Sequence, residues 1–294
     1  MSEPLFEKIA LIGIGLIGGS IALEARKRGL ANSIVAATRS AETAATANRL
    51  KLADHCGTDL AAACDGADLV IICTPVGACG AAARVIAPRL KKGCIVSDVG
   101  SVKQTVIADM APHIPKGVHF VPAHPVAGTE NSGPEAALLD LFEGRWTILT
   151  PLPDSDPAAV AKLEAFWKGL GSLVDKLDPA HHDRILAITS HLPHLIAYTI
   201  VGTADDLGGH LNAEVLRFAA GGFRDFTRIA ASDPTMWRDV FMNNREAVLE
   251  VLQRFQEDLF YLQRAIRWGE GDKLFDLFTR TREIRRTLIH LHQE

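Results

Sequence analysis

The chain is short of several things, and each shortage closes off a class of protein. It has only five cysteines in 294 residues, Cys56, Cys64, Cys73, Cys79 and Cys94, with no CxxC pair among them. Cys73 and Cys94 fall inside apolar, strand-like runs. Reduced thiols in the cytoplasm are the expectation, not a disulfide framework. Charge of neither sign prevails: the formal net charge is −4. That gives no reason to expect a nucleic acid or an anionic membrane surface as partner. No unbroken apolar run reaches the ~18 residues of a membrane span. The opening MSEPLFEK lacks both a basic start and a long apolar stretch, so no signal peptide is read there. Repeats and low-complexity tracts are missing too. What the chain does have is apolar material, 48% of its residues. That is enough for a sizeable core, and the length suggests about two domains.

The chain is organised around Lys8–Ser20, KIALIGIGLIGGS. Ile9–Ile12 is an apolar run of strand type. Gly13, Gly15 and Gly18 follow at GxGxxG spacing, with Leu16 and Ile17 between the last two, and a helix then runs on to Gly29. A strand, a glycine turn and a helix in succession raise this motif above a chance match. Gly13 permits the tight turn, Gly15 lets a pyrophosphate approach the backbone, and Gly18 lets helix and strand pack closely. The helix N-terminus offers free N–H groups and partial positive charge to phosphates. A dinucleotide is the expected ligand.

The second strand is placed at Ser33–Ala37. An NAD-preferring turn carries Asp or Glu at the end of this strand, to bond the ribose 2′-hydroxyl. Here stand Thr38, Arg39 and Ser40. A guanidinium between two hydroxyls suits a 2′-phosphate, so NADP, alone or with NAD, is expected.

Helices at Ala41–Leu52 and Leu60–Cys64 come next. Ala67–Cys73 is a continuous apolar strand, as in a parallel sheet covered on both faces. It ends in Thr74 and Pro75, at the carboxyl end where such sheets bind ligands. A helix over Gly77–Leu90 and a strand over Cys94–Val99 lead to Ser101, which makes a capping box with Gln104. An N-cap serine there also faces the ligand crevice. Lys103 reads as a solvated helix residue. After a strand at Val118–Val121 comes His124, between Pro122 and Pro125 on a stiff loop, where a neutral imidazole can accept a proton. Ser132 and Glu135 form a second capping box, for a helix to Phe142. Strand Trp146–Thr150, helix Pro157–Leu170 and strand Ser172–Leu177 follow.

From Asp178-Pro179, an N-cap and N1 pair, strand alternation stops. Helices are expected at about 180–207, 212–229, 234–268 and 271–292. Asp233-Pro234 repeats the start signal, and Pro193 should kink the first helix. The fold class is therefore α/β: a Rossmann-type doubly wound sheet over 1–178, then an all-α domain over 179–294. By analogy with other such chains, the long helices interlock between subunits of a homodimer.

Chemistry gathers in three further places. Ser101 and His124 stand at strand carboxyl ends. His191 and His194 lie three apart on the first long helix, so they face nearly the same way. No other ligand-type side chain stands at metal spacing, so no metal is expected. Arg224, Asp225, Arg228, Asp233 and Arg238 read as a solvated mixed-charge face, or as holding a guanidinium reserved for a substrate carboxylate.

Taken in order, GIGLIGGS, DVGSVK, HPVAGTE, SHLPH and GGFRDFTRIAASDPTMW resemble the prephenate/arogenate dehydrogenase family of tyrosine biosynthesis, over nearly the whole chain. The resemblance implies that His124 bonds the substrate's 4-hydroxyl and takes its proton, with Ser101 bonding the same hydroxyl and orienting His124. It places His194 in the substrate pocket and Arg228 on the ring carboxylate, across a domain or subunit boundary. Asp225 and Trp237 complete the pocket, and Glu130 stands at its entrance. Neither a chorismate mutase nor a regulatory domain is expected beside these domains. Competing readings are another β-hydroxyacid dehydrogenase or imine reductase, and a nucleotide-sensing protein without turnover. The last has no need of a proton acceptor at a strand end.

Overall fold

The computed structural model describes residues 3–208, 218 and 220–289. The chain divides into two units, Met1–Arg245 and Glu246–Glu294.

The first unit is built on six parallel strands: β1 (Phe6–Ile12), β2 (Ala31–Ala37), β3 (His55–Gly57), β4 (Leu69–Ile72), β5 (Ile95–Asp98) and β6 (His119–Phe120). Their order is β3-β2-β1-β4-β5-β6, so the chain reverses direction across the sheet between β1 and β4. That reversal opens a crevice at the carboxyl ends. Alternate residues feed opposite faces. Ile9, Leu11, Leu69, Ile71 and Ile95 join one core; Ala10, Ile12, Val70, Ile72 and Val96 join the other. This double burial is why the central strands read as unbroken apolar runs.

Helix α1 (Leu16–Lys27) follows the glycine turn, α2 (Ala41–Arg49) follows β2 and α3 (Leu60–Ala63) follows β3. The short β3 was not expected. The helix expected over 77–90 is α4 (Cys79–Ile86) with a 3-10 turn at each end; Pro88 sits in the second turn, where it supplies no N–H to continue an α-helix. Helix α5 (Gln104–Met110) follows β5, and α6 (Pro157–Gly169) is capped by Asp156.

A second, three-stranded sheet also differs from the expectation. Strand β7 (Ala123–Pro125) pairs antiparallel with β8 (Trp146–Leu149), which pairs parallel with β9 (Leu173–Lys176). His124 therefore lies within a strand, opposite Ile148, and not on a loop. The capping box at Ser132 and Glu135 does not form. Gly133 takes φ +85°, and only a 3-10 turn, Pro134–Ala136, follows.

Asp178 caps α7 (Pro179–Leu186) as expected. A π-helical turn, Ala187–His191, then leads into α8 (Leu192–Gly208). Pro193 lacks an N–H, and the widened turn just before it is a common way to absorb such a break. The stretch Pro179–Leu207 is long and apolar enough, by length and composition, to cross a membrane. Reading unbroken runs misses it because His, Ser and Thr interrupt it. Of the helix expected at 212–229, residues 212–217 and 219 lie outside the described residues. Its end is α9 (Gly221–Thr227) with a 3-10 turn Arg228–Ala231. The expected helix 234–268 is two: α10 (Pro234–Asn243), capped by Asp233, and α11 (Arg245–Arg267). The second unit holds nearly all of α11 together with α12 (Gly271–Ile289).

Candidate active site

The glycine turn has the local geometry a dinucleotide needs. Gly13 sits at φ +105°, and a Cβ there would come within 2.5 Å of the Cys73 carbonyl oxygen. At Gly18 a Cβ would come within 2.3 Å of the Gly13 oxygen, so helix and strand pack closely there. Gly15 differs: nothing lies within 4 Å of its Cβ position, which leaves the backbone open to a ligand. Gly15 also precedes α1 without any side-chain cap, and no acidic residue stands in the first turn. The free N–H groups of Leu16 and Ile17 are thus available to an anion. Thr74 and Pro75 follow β4 on the same edge of the sheet, with the Thr74 hydroxyl against the Cys79 sulfur at 3.7 Å.

At the end of β2, the Ser40 hydroxyl accepts from the Thr43 N–H and caps α2. Thr38 is anchored through its N–H to the Gly57 oxygen at 3.0 Å. Arg39 is exposed and forms no hydrogen bond or ion pair among the described residues. Its guanidinium is uncommitted.

His124 is buried. Its Nδ1 lies 2.9 Å from His182 Nε2, and His182 Nδ1 lies 2.8 Å from Asp183 Oδ1. Asp183 also accepts from the backbone N–H groups of Lys103 at 2.7 Å and Gln104 at 2.9 Å. It is therefore this aspartate, from α7, that caps α5. The expected Ser101 box does not form, because Asp183 occupies the donors it would have used. Ser101 keeps its place at the carboxyl end of β5, and the side chain that bonds the His124 Nδ1 is His182.

Lys103 is not solvated. It is fully buried and paired with Asp98, and its Nζ donates to the Ala123 carbonyl at 2.6 Å. Asp98 in turn accepts from the Gly100 N–H at 2.7 Å and the Ala123 N–H at 3.3 Å. Ala123 immediately precedes His124, so this pair fixes the backbone that carries the imidazole.

The electrostatics follow from burial. Desolvation holds His124 well below the usual imidazole range, reinforced by His182, Lys103 and His191. Burial also lowers His182, against the pull of Asp183. For Asp183 burial acts upward, but the His182 hydrogen bond and the two backbone donors outweigh it and hold the carboxyl below its usual range. A neutral imidazole thus stands beside an ionised carboxylate with one histidine between them.

His194 lies on α8. Its Nδ1–H donates to the Ser190 carbonyl at 2.8 Å, and its ring stacks on Trp237 at 3.6 Å between centroids. His191 sits edge-on to the same indole, as the three-residue spacing predicts. The Asn244 amide ties His191 Nδ1, at 3.1 Å, to the Asp183 carbonyl, at 2.8 Å. Arg228 pairs with Glu130 at 2.7 Å. Asp225 is exposed on α9 and bonds to none of these residues.

Sequence reasoning missed His182, Asp183, Asn244 and the burial of Lys103. One signal was available: Asp183 stands eight residues before His191 and eleven before His194, spacings that turn these three toward one side of a helix.

A family model described as the nucleotide-binding domain of prephenate dehydrogenase matches residues 21–176, and one described as the prephenate dehydrogenase dimerization domain matches residues 178–280. The cyclohexadienyl dehydrogenase of Zymomonas mobilis is 39% identical over 284 residues, covering 97% of this chain and 97% of that protein. The prephenate dehydrogenase of Bacillus subtilis is 34% identical over 280 residues, 95% of this chain and 75% of that protein. Among solved structures, prephenate dehydrogenase from A. aeolicus, in complex with hydroxyphenyl propionate and NAD+, superposes with a TM-score of 0.87 at 33% identity. That match covers 96% of this chain and 98% of the other.

Proposed function

The chain belongs to the prephenate dehydrogenase family, and from that premise we propose that it oxidatively decarboxylates a cyclohexadienyl acid, prephenate or arogenate, using NAD(P). The observation that carries the reading is His124. It is a buried, neutral imidazole on β7, four residues past the carboxyl end of β6, and the open glycine turn follows the carboxyl end of β1 in the same parallel sheet as β6.

NAD(P), when bound, would supply the hydride acceptor for the substrate's C4. The chain's own residues do the rest. The backbone from Gly13 to Gly18 holds the pyrophosphate, and Thr74 and Pro75 line the crevice. His124 Nε2 takes the proton of the C4 hydroxyl as its oxygen becomes a carbonyl. Ser101 bonds the same hydroxyl. The C1–carboxylate bond then breaks, its electron pair enters the ring, and carbon dioxide leaves. The oxygen that has become phenolic recovers the proton from His124. Taken over the cycle, the base neither gains nor loses a proton.

Arg228 anchors the ring carboxylate without discharging it, since decarboxylation needs its electrons. Glu130 holds that guanidinium until substrate arrives, and His194, Trp237 and Asp225 bound the pocket. Arg39, with Thr38 and Ser40, favours NADP by offering a free cation where an NAD site carries an acid.

A division at 178/179 and a homodimer complete the proposal. The dimer is supported by the description of the matched 178–280 region and by the exposed Phe260, Ile266, Phe275 and Phe278 on α11 and α12. A cytoplasmic location fits a biosynthetic enzyme of this kind. The test is an assay of purified protein with both substrates and both cofactors, following reduced nicotinamide and released carbon dioxide. Absence of either product with both acids would overturn the reading.

A further inference from the structure

We infer that Asp183 and His182 act together as positioning residues that set the tautomer of His124, so that its Nε2 presents a lone pair and not a proton to the substrate hydroxyl. The inference rests on the reading of His124 as the base and deepens it.

The chain of reasoning starts at the carboxylate. Asp183 is buried and receives three donors: the N–H groups of Lys103 and Gln104, and His182 Nδ1. A carboxylate so placed is an acceptor only, so His182 carries its proton on Nδ1. A neutral imidazole then has a bare Nε2. That bare nitrogen is 2.9 Å from His124 Nδ1, so the contact is a hydrogen bond only if His124 Nδ1 bears the proton. His124 Nε2 is left bare. One fixed acceptor, two links away, dictates the state of the reacting nitrogen.

The arrangement fits orientation better than proton export. In the proposed cycle the hydroxyl proton goes to His124 and returns to the same oxygen, so nothing has to pass on to His182. When His124 is transiently protonated, its Nδ1–H still donates to His182, and the Asp183 charge behind it steadies the imidazolium. Other charged groups face the same rings. Lys103 stands beside His124 and His182, His191 lies close to both, and Asp98 is held by Lys103. None of them bonds a His124 or His182 nitrogen, so none competes for the tautomer.

The position of Asp183 has a second consequence. The same carboxylate caps α5, whose N-terminal approach carries Ser101. The serine that follows β5 and the imidazole on β7 are thereby referred to one oxygen pair.

Three variants test this. Asp183→Asn places an amide where the acceptor stood. If its NH₂ donates to His182 Nδ1, the order inverts link by link and puts a proton on His124 Nε2. The expected loss is about 10²–10⁴-fold in kcat, as for the loss of a general base, with substrate KM and cofactor binding within about threefold. Because Asp183 also caps α5, the other two variants change His182 alone. Gln at 182 can accept from His124 Nδ1–H with its oxygen and donate to Asp183 with its nitrogen. It preserves the polarity of the chain but cannot pass a proton. His182→Gln should stay within about tenfold of the parent kcat, while His182→Leu should fall by about 10²–10⁴-fold. Equal, severe losses for Gln and Leu would show that His182 moves a proton and would overturn the inference. Equal, slight losses would show that it does nothing for the base.

Long-range proton–nitrogen correlation spectra of the imidazoles read the tautomer without any turnover. The parent should show both His124 and His182 protonated at Nδ1. A parent His124 protonated at Nε2 overturns the inference whatever the assay gives, and a parent with the expected spectrum but no turnover would instead count against the functional reading.

Discussion

Lys103 and Asp98 form an ion pair with no exposed side-chain surface on either member, and between them they hold both main-chain polar groups of Ala123. The next residue is His124. Removing one partner of such a pair strands the other charge in the interior, at a cost of about 3–5 kcal/mol. Lys103→Met should therefore destabilise the protein by roughly that amount in denaturant unfolding. A loss below about 1 kcal/mol, the scale of an exposed pair, would show that the pair does little to fix the strand.

His124→Asn removes the base and keeps a polar side chain of similar reach. It should depress kcat by about 10²–10⁴-fold with little change in KM, because the lost interaction belongs to the transition state. An unchanged kcat in steady-state assays would take His124 out of the mechanism.

Arg228 is held by Glu130 at 2.7 Å, and its side chain is 60% exposed. The guanidinium is therefore accessible to an incoming carboxylate that replaces Glu130. Arg228→Ala should raise the substrate KM roughly 10–100-fold, the scale of a hydrogen bond to a charged group. A KM that does not move would place the ring carboxylate elsewhere.

Among the described residues Arg39 has no acidic partner, and Ser40, beside it, spends its hydroxyl on the α2 cap. The cation is then the main attraction for a 2′-phosphate. Arg39→Ala should lower kcat/KM with NADP by about tenfold or more, the scale of a charge-assisted contact, and leave the NAD value nearly unchanged. Comparable losses with both cofactors would mean that Arg39 stacks on the shared adenosine and does not read the phosphate.

The sheet was legible because each central strand is a short apolar run, and the glycine turn because strand, glycines and helix are contiguous. The layer behind His124 was not, because its contacts span the sequence. Asp183 reaches back 79 residues to Gln104, and His182 reaches back 58 to His124. Local rules gave Ser101 the cap of α5, a sound inference that a distant carboxylate overrode. They also gave Lys103 to solvent, since nothing near it in sequence shows that Asp98 and the Ala123 carbonyl await it. The pocket residues that the family resemblance implies rest on motif alone. Their pairings, His194 on Trp237 and Arg228 on Glu130, needed the fold.

The four site histidines make a prediction about stability. His124, His182, His191 and His194 are all lowered below 6.5, burial being the first cause in each, and His191 is pushed down to about 4. The charges around them come from several elements: Lys103 and Asp98 near β5, Asp183 on α7, and Arg228 before α10. The unfolded chain takes up a proton on each histidine near 6.5, while the folded chain does so only at lower pH. Between those values the unfolded state binds more protons, so stability rises with pH there and falls as pH drops. The stabilisation is complete above the unfolded value and is lost progressively from about 6.5 toward 4, at roughly 3 kcal/mol for His191 alone by the lower limit. Asp183, held below its usual range, adds a further loss only at still lower pH. Urea midpoints at pH 7.5 should therefore exceed those at pH 5, with most of the fall below pH 6. Replacing His191 with Gln should flatten part of the slope. A midpoint that stays constant from pH 7.5 to 5 would mean that these imidazoles are solvated in the folded protein, and would remove the basis for a neutral His124.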